Sequence, residues 1–171
     1  MQNLLSALCF ASPAVEVFVS DTSGVNDPHN LARFVDAQSE VYDEAHAEIR
    51  AGRKQSHWMW FIFPQIDGLG SSSTAKRFAI KSSAEAEAYL AHPLLGPRMV
   101  ACAEAAVGVT GNVSALTVFG SPDDMKLRSS VTLFACISPS GSVFEKVLDR
   151  YFQGERDPYT LRLLDAGSNP T

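Results

Sequence analysis

The chain has 171 residues, of which 46% are hydrophobic and 19% are charged. These values are typical of one globular domain and exclude a largely disordered protein. The formal net charge is −5 at pH 7, so we expect no nucleic-acid binding. Its three cysteines, Cys9, Cys102 and Cys136, lack metal-site spacing and do not make an even set for disulfides. We therefore expect a reducing compartment, with the cytoplasm as the location.

The first 25 residues precede the predicted domain. The apolar stretch at residues 4–10 has no basic residue before it, as a secretory signal would require. It is also far shorter than the roughly 20 apolar residues of a membrane-spanning helix. We predict a poorly ordered leader over residues 1–25, a single helical domain over 26–165 and a tail over 166–171. We expect a soluble protein that does not bind membranes.

Helical periodicity and helix-start signals account for most of the domain. Asp27 and Pro28 begin a predicted helix that ends at Gly52. Ser82 and Glu85 have the spacing of a capping box, which begins a helix over residues 82–90. Further helices are predicted over residues 73–80, 94–109, 122–137, 143–152 and 159–165, with a helical turn at 114–119. About seven helices with short links predict an all-α fold, a compact single-domain bundle.

Residues 57–63 form a dense aromatic run, HWMWFIF, which Pro64 closes. No second strand-like run is present to pair with it, so we predict a short buried helix or an extended core segment. Trp58 and Trp60 are expected mainly in the core, although either could stack on a flat ligand. His57 and Gln65 lie at the edges of the run. There His57 could transfer protons and Gln65 could bind an amide or hydroxyl group.

A glycine- and serine-rich segment follows the aromatic run. Gly70 and Ser72 precede a predicted helix that begins at Ser73 and carries Lys76. Backbone N–H groups at a helix start, with a lysine nearby, suit a phosphate or carboxylate. The simpler interpretation is a turn with a serine cap and a solvated lysine, and we favour it.

The third candidate site lies on the helix that we expect Ser121 to cap. Asp123, Lys126, Ser129 and Ser130 are three or four residues apart, so they share a face. A lysine beside serines can support nucleophilic catalysis, with Asp123 as general base. In the simpler interpretation, which we favour, Asp123 stabilises the helix start, Lys126 pairs with an acid and the serines bind the backbone.

The segment WMWFIFPQIDGLG at residues 58–70 is distinctive. Further characteristic segments are His92-Pro93-Leu94, Phe119-Gly120, Pro122-Asp123-Asp124 and Thr132-Leu133-Phe134. Together they resemble a bacterial domain-of-unknown-function family that is often labelled "calpastatin-like". The resemblance spans residues 30–164 and implies an all-helical fold, without an established activity, cofactor or catalytic residue. The calpastatin label is not carried over, because the chain does not resemble a disordered inhibitor repeat.

A weaker resemblance to NADAR domains, which process ADP-ribose linkages, transfers no residue. Our leading hypothesis is a small-molecule binding protein or hydrolase for an anionic or nucleotide-like ligand, including ADP-ribose and NAD-related compounds. In a hydrolase, His57 or Asp123 would be the general base and Lys126 would orient the substrate. The alternative is a non-enzymatic protein-interaction module with an aromatic structural core. We predict neither a cofactor nor a metal site, and the oligomeric state is left open.

Overall fold

Ten helices make up the part of the chain that the computed structural model describes, residues 27–167. The predicted leader and residues 168–171 of the predicted tail lie outside this range. The helices are α1 (Ala32–Gln38), α2 (Tyr42–Arg50), α3 (Met59–Ile62), α4 (Ser73–Phe78), α5 (Ser83–Ala91), α6 (Leu95–Gly108), α7 (Ala115–Phe119), α8 (Asp123–Ile137), α9 (Val143–Phe152) and α10 (Pro158–Gly167). The all-α prediction is confirmed, with more and shorter helices than predicted. None of them is long and apolar enough to cross a membrane.

The helix predicted between Asp27 and Gly52 is two helices, α1 and α2. Helix α1 ends just before Ser39, whose hydroxyl donates to the backbone carbonyl of Asp36 at 2.8 Å. Such side-chain bonds to the backbone compete with the hydrogen bonds of the helix. Asp27 accepts from the backbone N–H groups of Leu31 and Ala32 at 2.8 and 2.9 Å. Gly52 follows α2 with a φ of +68°, as expected of a residue that ends a helix.

The aromatic run folds as the short helix α3 and lies in the core. Trp58, Met59 and Phe63 are fully buried. After the run, the backbone N–H of Ile80 donates to the carbonyl of Gln65, and the N–H of Asp67 donates to the carbonyl of Ile80, both at 2.8 Å. These bonds tie the segment after α3 to the residues after α4, which fixes the loop that contains Gln65.

Helix α8 is central to the packing and contacts α3, α5, α7, α9 and α10. Residues 129–135 are all buried. The prediction that Ser121 caps this helix is wrong, because Pro122 occupies the capping position and no side chain caps it. Asp123 lies in the first turn as predicted, where the exposed N–H groups favour a negative charge.

Candidate ligand-binding cleft

A cleft of about 420 Å³ lies between α3, the loop after it, α4, the first half of α8 and the start of α10. Small-molecule sites are roughly 300–1,000 Å³ in volume. The lining combines apolar and polar side chains, so it suits a ligand that has both kinds of surface. The lining residues are Trp60, Gln65, Leu69, Gly70, Ser71, Ser72, Ala75, Pro122, Met125, Lys126, Ser129, Asp157 and Tyr159.

Close packing against α4 holds the loop in place at Gly70. A Cβ atom on Gly70 would lie 2.4 Å from the Cβ of Ala75, which is closer than two carbon atoms can approach. Ser72 caps α4, because its Oγ accepts from the backbone N–H of Ala75 at 3.1 Å. Both residues therefore have structural roles that account for their presence. The structure adds no support for the predicted anion site at the start of α4, because a helix of only six residues has a small dipole at its N-terminus.

A cluster of two lysines and one aspartate, Lys54, Asp123 and Lys126, lies at one side of the cleft, where Lys126 belongs to the lining. The Nζ atoms of Lys126 and Lys54 each lie 2.7 Å from a different carboxylate oxygen of Asp123. Two ammonium groups share one carboxylate, so the cluster keeps one positive charge. The Lys126 Nζ also lies 4.3 Å from the centre of the Trp60 ring, a cation–π contact.

The two lysines determine the protonation state of Asp123. Burial raises the pKa of this carboxyl, but the hydrogen bonds and charges of Lys126 and Lys54 more than offset burial and lower the pKa below its usual 3.8. Asp123 is therefore ionised at neutral pH and bound on both oxygens. This arrangement does not support the predicted role of Asp123 as a general base, because the two lysines stabilise its ionised form and a general base needs a pKa near the working pH.

Gln65, Ser129 and Asp157 form the floor of the cleft, and the fully buried Thr160 is bonded to two of them. The Gln65 Nε2 donates to the Ser129 Oγ at 2.5 Å. The Thr160 Oγ1 lies 2.7 Å from the Asp157 Oδ2 and 3.5 Å from the carbonyl oxygen of Ser129. Asp157 is only 7% exposed, and its backbone N–H donates to the Thr132 Oγ1 at 2.9 Å. These bonds join the loop after α3, helix α8 and the start of α10 into one polar surface.

Five of the residues predicted for a site lie together in the lining: Trp60, Gln65, Gly70, Ser72 and Lys126. Asp123 is next to them through its bond to Lys126. His57, Ser73 and Lys76 are exposed, and none of them lines the cleft. The role of His57 as a general base and the roles of Ser73 and Lys76 in anion binding are therefore not supported here.

Trp58 lies in the core, as the favoured interpretation of the aromatic run expected, and its alternative role of stacking on a ligand does not fit this position. Its side chain is fully buried. The indole N–H donates to the Glu48 Oε2 at 2.7 Å, and the Lys54 Nζ lies 5.0 Å from the ring centre. Trp58 is a core residue whose polar atom is satisfied inside the protein.

Sequence reasoning did not identify Asp157, Met125 or Tyr159 as site residues. Asp157 precedes Pro158, so its sequence signal is that of a helix start, and it does cap α10 through Thr160. Met125 and Tyr159 are 55% and 61% exposed, which is unusual for large apolar side chains. No local pattern distinguishes them, because their neighbours in the cleft come from other parts of the chain.

The chain is similar to known proteins over most of its length. A model of the family described as "Protein of unknown function (DUF1810)" matches residues 28–164. The crystal structure of the conserved hypothetical protein Rv1873 from Mycobacterium tuberculosis is 50% identical and has a TM-score of 0.79. The match covers 81% of this chain and 99% of that one. No curated protein matches the sequence. The chain belongs to the DUF1810 family.

Proposed function

We propose that the protein binds a small anionic molecule of the nucleotide class in the cleft described above. The observation that carries the proposal is the cluster of Lys54, Asp123 and Lys126, which keeps one positive charge and presents Lys126 to the cleft. A phosphate or carboxylate that approaches Lys126 gains a charge-assisted hydrogen bond. It does not have to displace Asp123, since an ammonium group has three N–H donors.

The side chain of Trp60 supports the same proposal. It is half-buried in the lining, and its indole N–H has no hydrogen-bond partner within residues 27–167. A ligand oxygen near Lys126 can accept a hydrogen bond from this N–H group. Since the Lys126 Nζ lies over the Trp60 ring, we expect the ligand at the ring edge or the opposite face.

Binding is a better-supported function than hydrolysis. Catalysis at an ADP-ribose or glycosidic centre needs a general base, and neither residue predicted for that role is placed to fill it. Asp123 is held by two lysines, and His57 lies outside the lining. The proposal is therefore limited to binding, with ADP-ribose and NAD-related compounds among the ligands to test.

A second candidate is a protein partner that inserts a side chain into the cleft. Met125 and Tyr159 favour it, because both are exposed large apolar residues and both line the cleft. Exposed apolar side chains grouped at one concave surface are typical of interaction sites. If the cleft binds a protein partner, small anions should not raise the Tm. If it binds a small anionic molecule, at least one of them should.

A thermal-shift screen with AMP, GMP, NAD, ADP-ribose and sugar phosphates tests the proposal. A ligand at 100 times its Kd stabilises the folded state by about 2.7 kcal/mol, which raises the Tm by several degrees. Lys126→Gln should abolish the shift. Lys76→Gln, at an exposed lysine outside the lining, should preserve it. No shift with any compound would contradict small-molecule binding and favour the protein partner.

A further inference from the structure

The cleft floor holds a carboxylate oxygen that the fold does not use. The Oδ2 of Asp157 accepts from the backbone N–H and the hydroxyl of Thr160 at 2.8 and 2.7 Å. Its Oδ1 makes no hydrogen bond to any residue in the range 27–167. The helix-capping role of Asp157 therefore accounts for the hydrogen bonds of Oδ2, and Oδ1 remains without a partner in a residue that lines the cleft.

No cation in the described part of the chain forms an ion pair with Asp157, although the residue is only 7% exposed. The start of α10 supplies partial positive charge to Oδ2 through its N–H groups. The Oδ1 atom itself keeps some contact with the solvent of the cleft, so a ligand that enters the cleft can replace water as its hydrogen-bond donor. The free Oδ1 is thus an acceptor that a ligand can satisfy.

Gln65 contributes a second free acceptor to the same floor. Ser129 has one hydroxyl proton, which the carbonyl oxygens of Lys126 and Met125 accept at 3.1 and 3.3 Å from its Oγ. The amide nitrogen of Gln65 faces Ser129 in the structure, and the Ser129 Oγ accepts from it. The Oε1 of Gln65 remains, and it has no hydrogen-bond partner within residues 27–167.

We infer that the floor recognises a planar group with adjacent N–H donors, which binds the acceptors of Asp157 and Gln65. Guanidinium groups and the amino-substituted edge of guanine have this chemistry. A carboxylate and an amide oxygen accept from such groups, and they repel a ligand edge that presents oxygen atoms. The inference rests on the proposed function, because it concerns the same cleft.

The two sides of the cleft then bind the two ends of one ligand. The basic cluster at Lys126 carries one net positive charge, and Asp157 carries a negative charge without an ion-pair partner in the described residues. A ligand with an anionic group at one end and a donor-rich planar group at the other satisfies both. Guanosine 5′-monophosphate fits this description and the proposed nucleotide class. L-Arginine fits the description alone, so its binding in place of the nucleotide would support recognition by the floor and contradict the nucleotide class.

Isothermal titration calorimetry of the full chain with two matched ligand pairs provides the test. Inosine 5′-monophosphate lacks only the exocyclic amine of guanosine 5′-monophosphate, and L-citrulline replaces one nitrogen of L-arginine with oxygen. We expect at least one donor-rich ligand to bind about tenfold or more tightly than its analogue. A preference within the first pair identifies a nucleobase as the recognised group, and a preference within the second pair identifies a guanidinium group.

Asp157→Asn is the variant that tests the residue itself. The asparagine oxygen can still accept from Thr160 and cap α10, while its NH₂ group replaces the free Oδ1 with a donor. The preference for the donor-rich ligand should disappear, and the Tm without ligand should stay close to that of the wild type. Asp67→Asn, at an exposed aspartate outside the lining, should keep the preference.

The outcomes separate this inference from the proposed function. Equal binding within both pairs, or a preference that survives in Asp157→Asn, overturns the inference. If the nucleotides bind equally and Lys126→Gln alone weakens them, anion binding stands and recognition by Asp157 does not. If none of the four compounds binds, the inference fails on the wild-type measurement alone, whatever the variants do.

Discussion

The ammonium group of Lys126 lies between the carboxylate of Asp123, at 2.7 Å, and the ring of Trp60, whose centre is 4.3 Å away. Lys126 therefore couples α8 to α3 at the wall of the cleft. Both contacts attract the ammonium group, since the carboxylate and the face of the ring are electron-rich. This pair of contacts places a positive charge at the cleft and restricts the motion of the lysine that carries it.

The two tryptophans differ sharply in exposure, which fluorescence quenching can measure. Trp58 is fully buried and Trp60 is half-buried in the cleft lining, and the chain has no other tryptophan. Trp60→Phe should therefore leave a fluorescence that acrylamide quenches much less than that of the wild type. An unchanged quenching constant would show that Trp58 is accessible and would contradict the described packing.

Replacement of the buried Glu48 should destabilise the fold in a pH-dependent way. Its carboxylate accepts from the backbone N–H groups of Gln55 and Ser56 and from the Trp58 indole. Glu48→Gln should lower the free energy of unfolding at pH 7 by about 2–4 kcal/mol, because charged hydrogen bonds are lost and a buried donor is left unpaired. Urea unfolding provides the measurement, with Glu104→Gln at an exposed position as the control.

The sign of the pH effect follows from the pKa of Glu48. Burial raises this pKa, but the hydrogen bonds from Gln55, Trp58 and Ser56 outweigh burial and lower it below the usual 4.5. The carboxylate therefore contributes stability above pH 4.5 that is lost as the pH falls through the lowered pKa. The difference between wild type and Glu48→Gln should shrink below pH 4.5. A constant difference down to pH 3 would contradict this assignment.

Two glycines in α6 should respond to alanine with opposite signs. A Cβ on Gly96 would lie 2.0 Å from the carbonyl oxygen of Leu90, whereas a Cβ on Gly108 would meet nothing within 4 Å. Gly96→Ala should destabilise the protein by several kcal/mol or prevent folding, because the contact is with backbone that cannot easily move. Gly108→Ala should be neutral or stabilising by up to about 1 kcal/mol. Thermal unfolding of both variants provides the measurement, and equal Tm values would contradict the packing of α5 against α6.

The two cysteines in the described part of the chain should differ in reactivity. Burial raises the pKa of Cys102 to about 12, while Cys136 is exposed. In a Cys9→Ser background, a disulfide reagent at pH 8 should modify one thiol rapidly and the second only as the protein unfolds. The rapid reaction should vanish in Cys136→Ser. Two rapid thiols in the native protein would show that Cys102 is accessible.

The helical fold was predictable because its signals are local. Ser82 caps α5, its Oγ accepting from the backbone N–H of Glu85 at 3.2 Å, as the capping box predicted. The Glu85 carboxylate reaches back to the N–H of Lys81 rather than to that of Ser82. Such signals depend on residues within one turn, so they can be identified from the sequence alone. The break between α1 and α2 was missed, since helical periodicity continues through it.

The sequence by itself determined the helical class, most helix positions and the polar residues from which a site can be built. Only the tertiary structure decided which of those residues are free to bind a ligand. Asp157 and Asp123 both lie at helix starts, yet Lys54 and Lys126 occupy both oxygens of Asp123 while one oxygen of Asp157 stays free. The reason is physical. Helix formation depends on neighbours along the chain. Whether a carboxylate oxygen at a helix start is paired or free depends on which distant residues the fold brings next to it, two lysines for Asp123 and, within the described residues, none for the Oδ1 of Asp157.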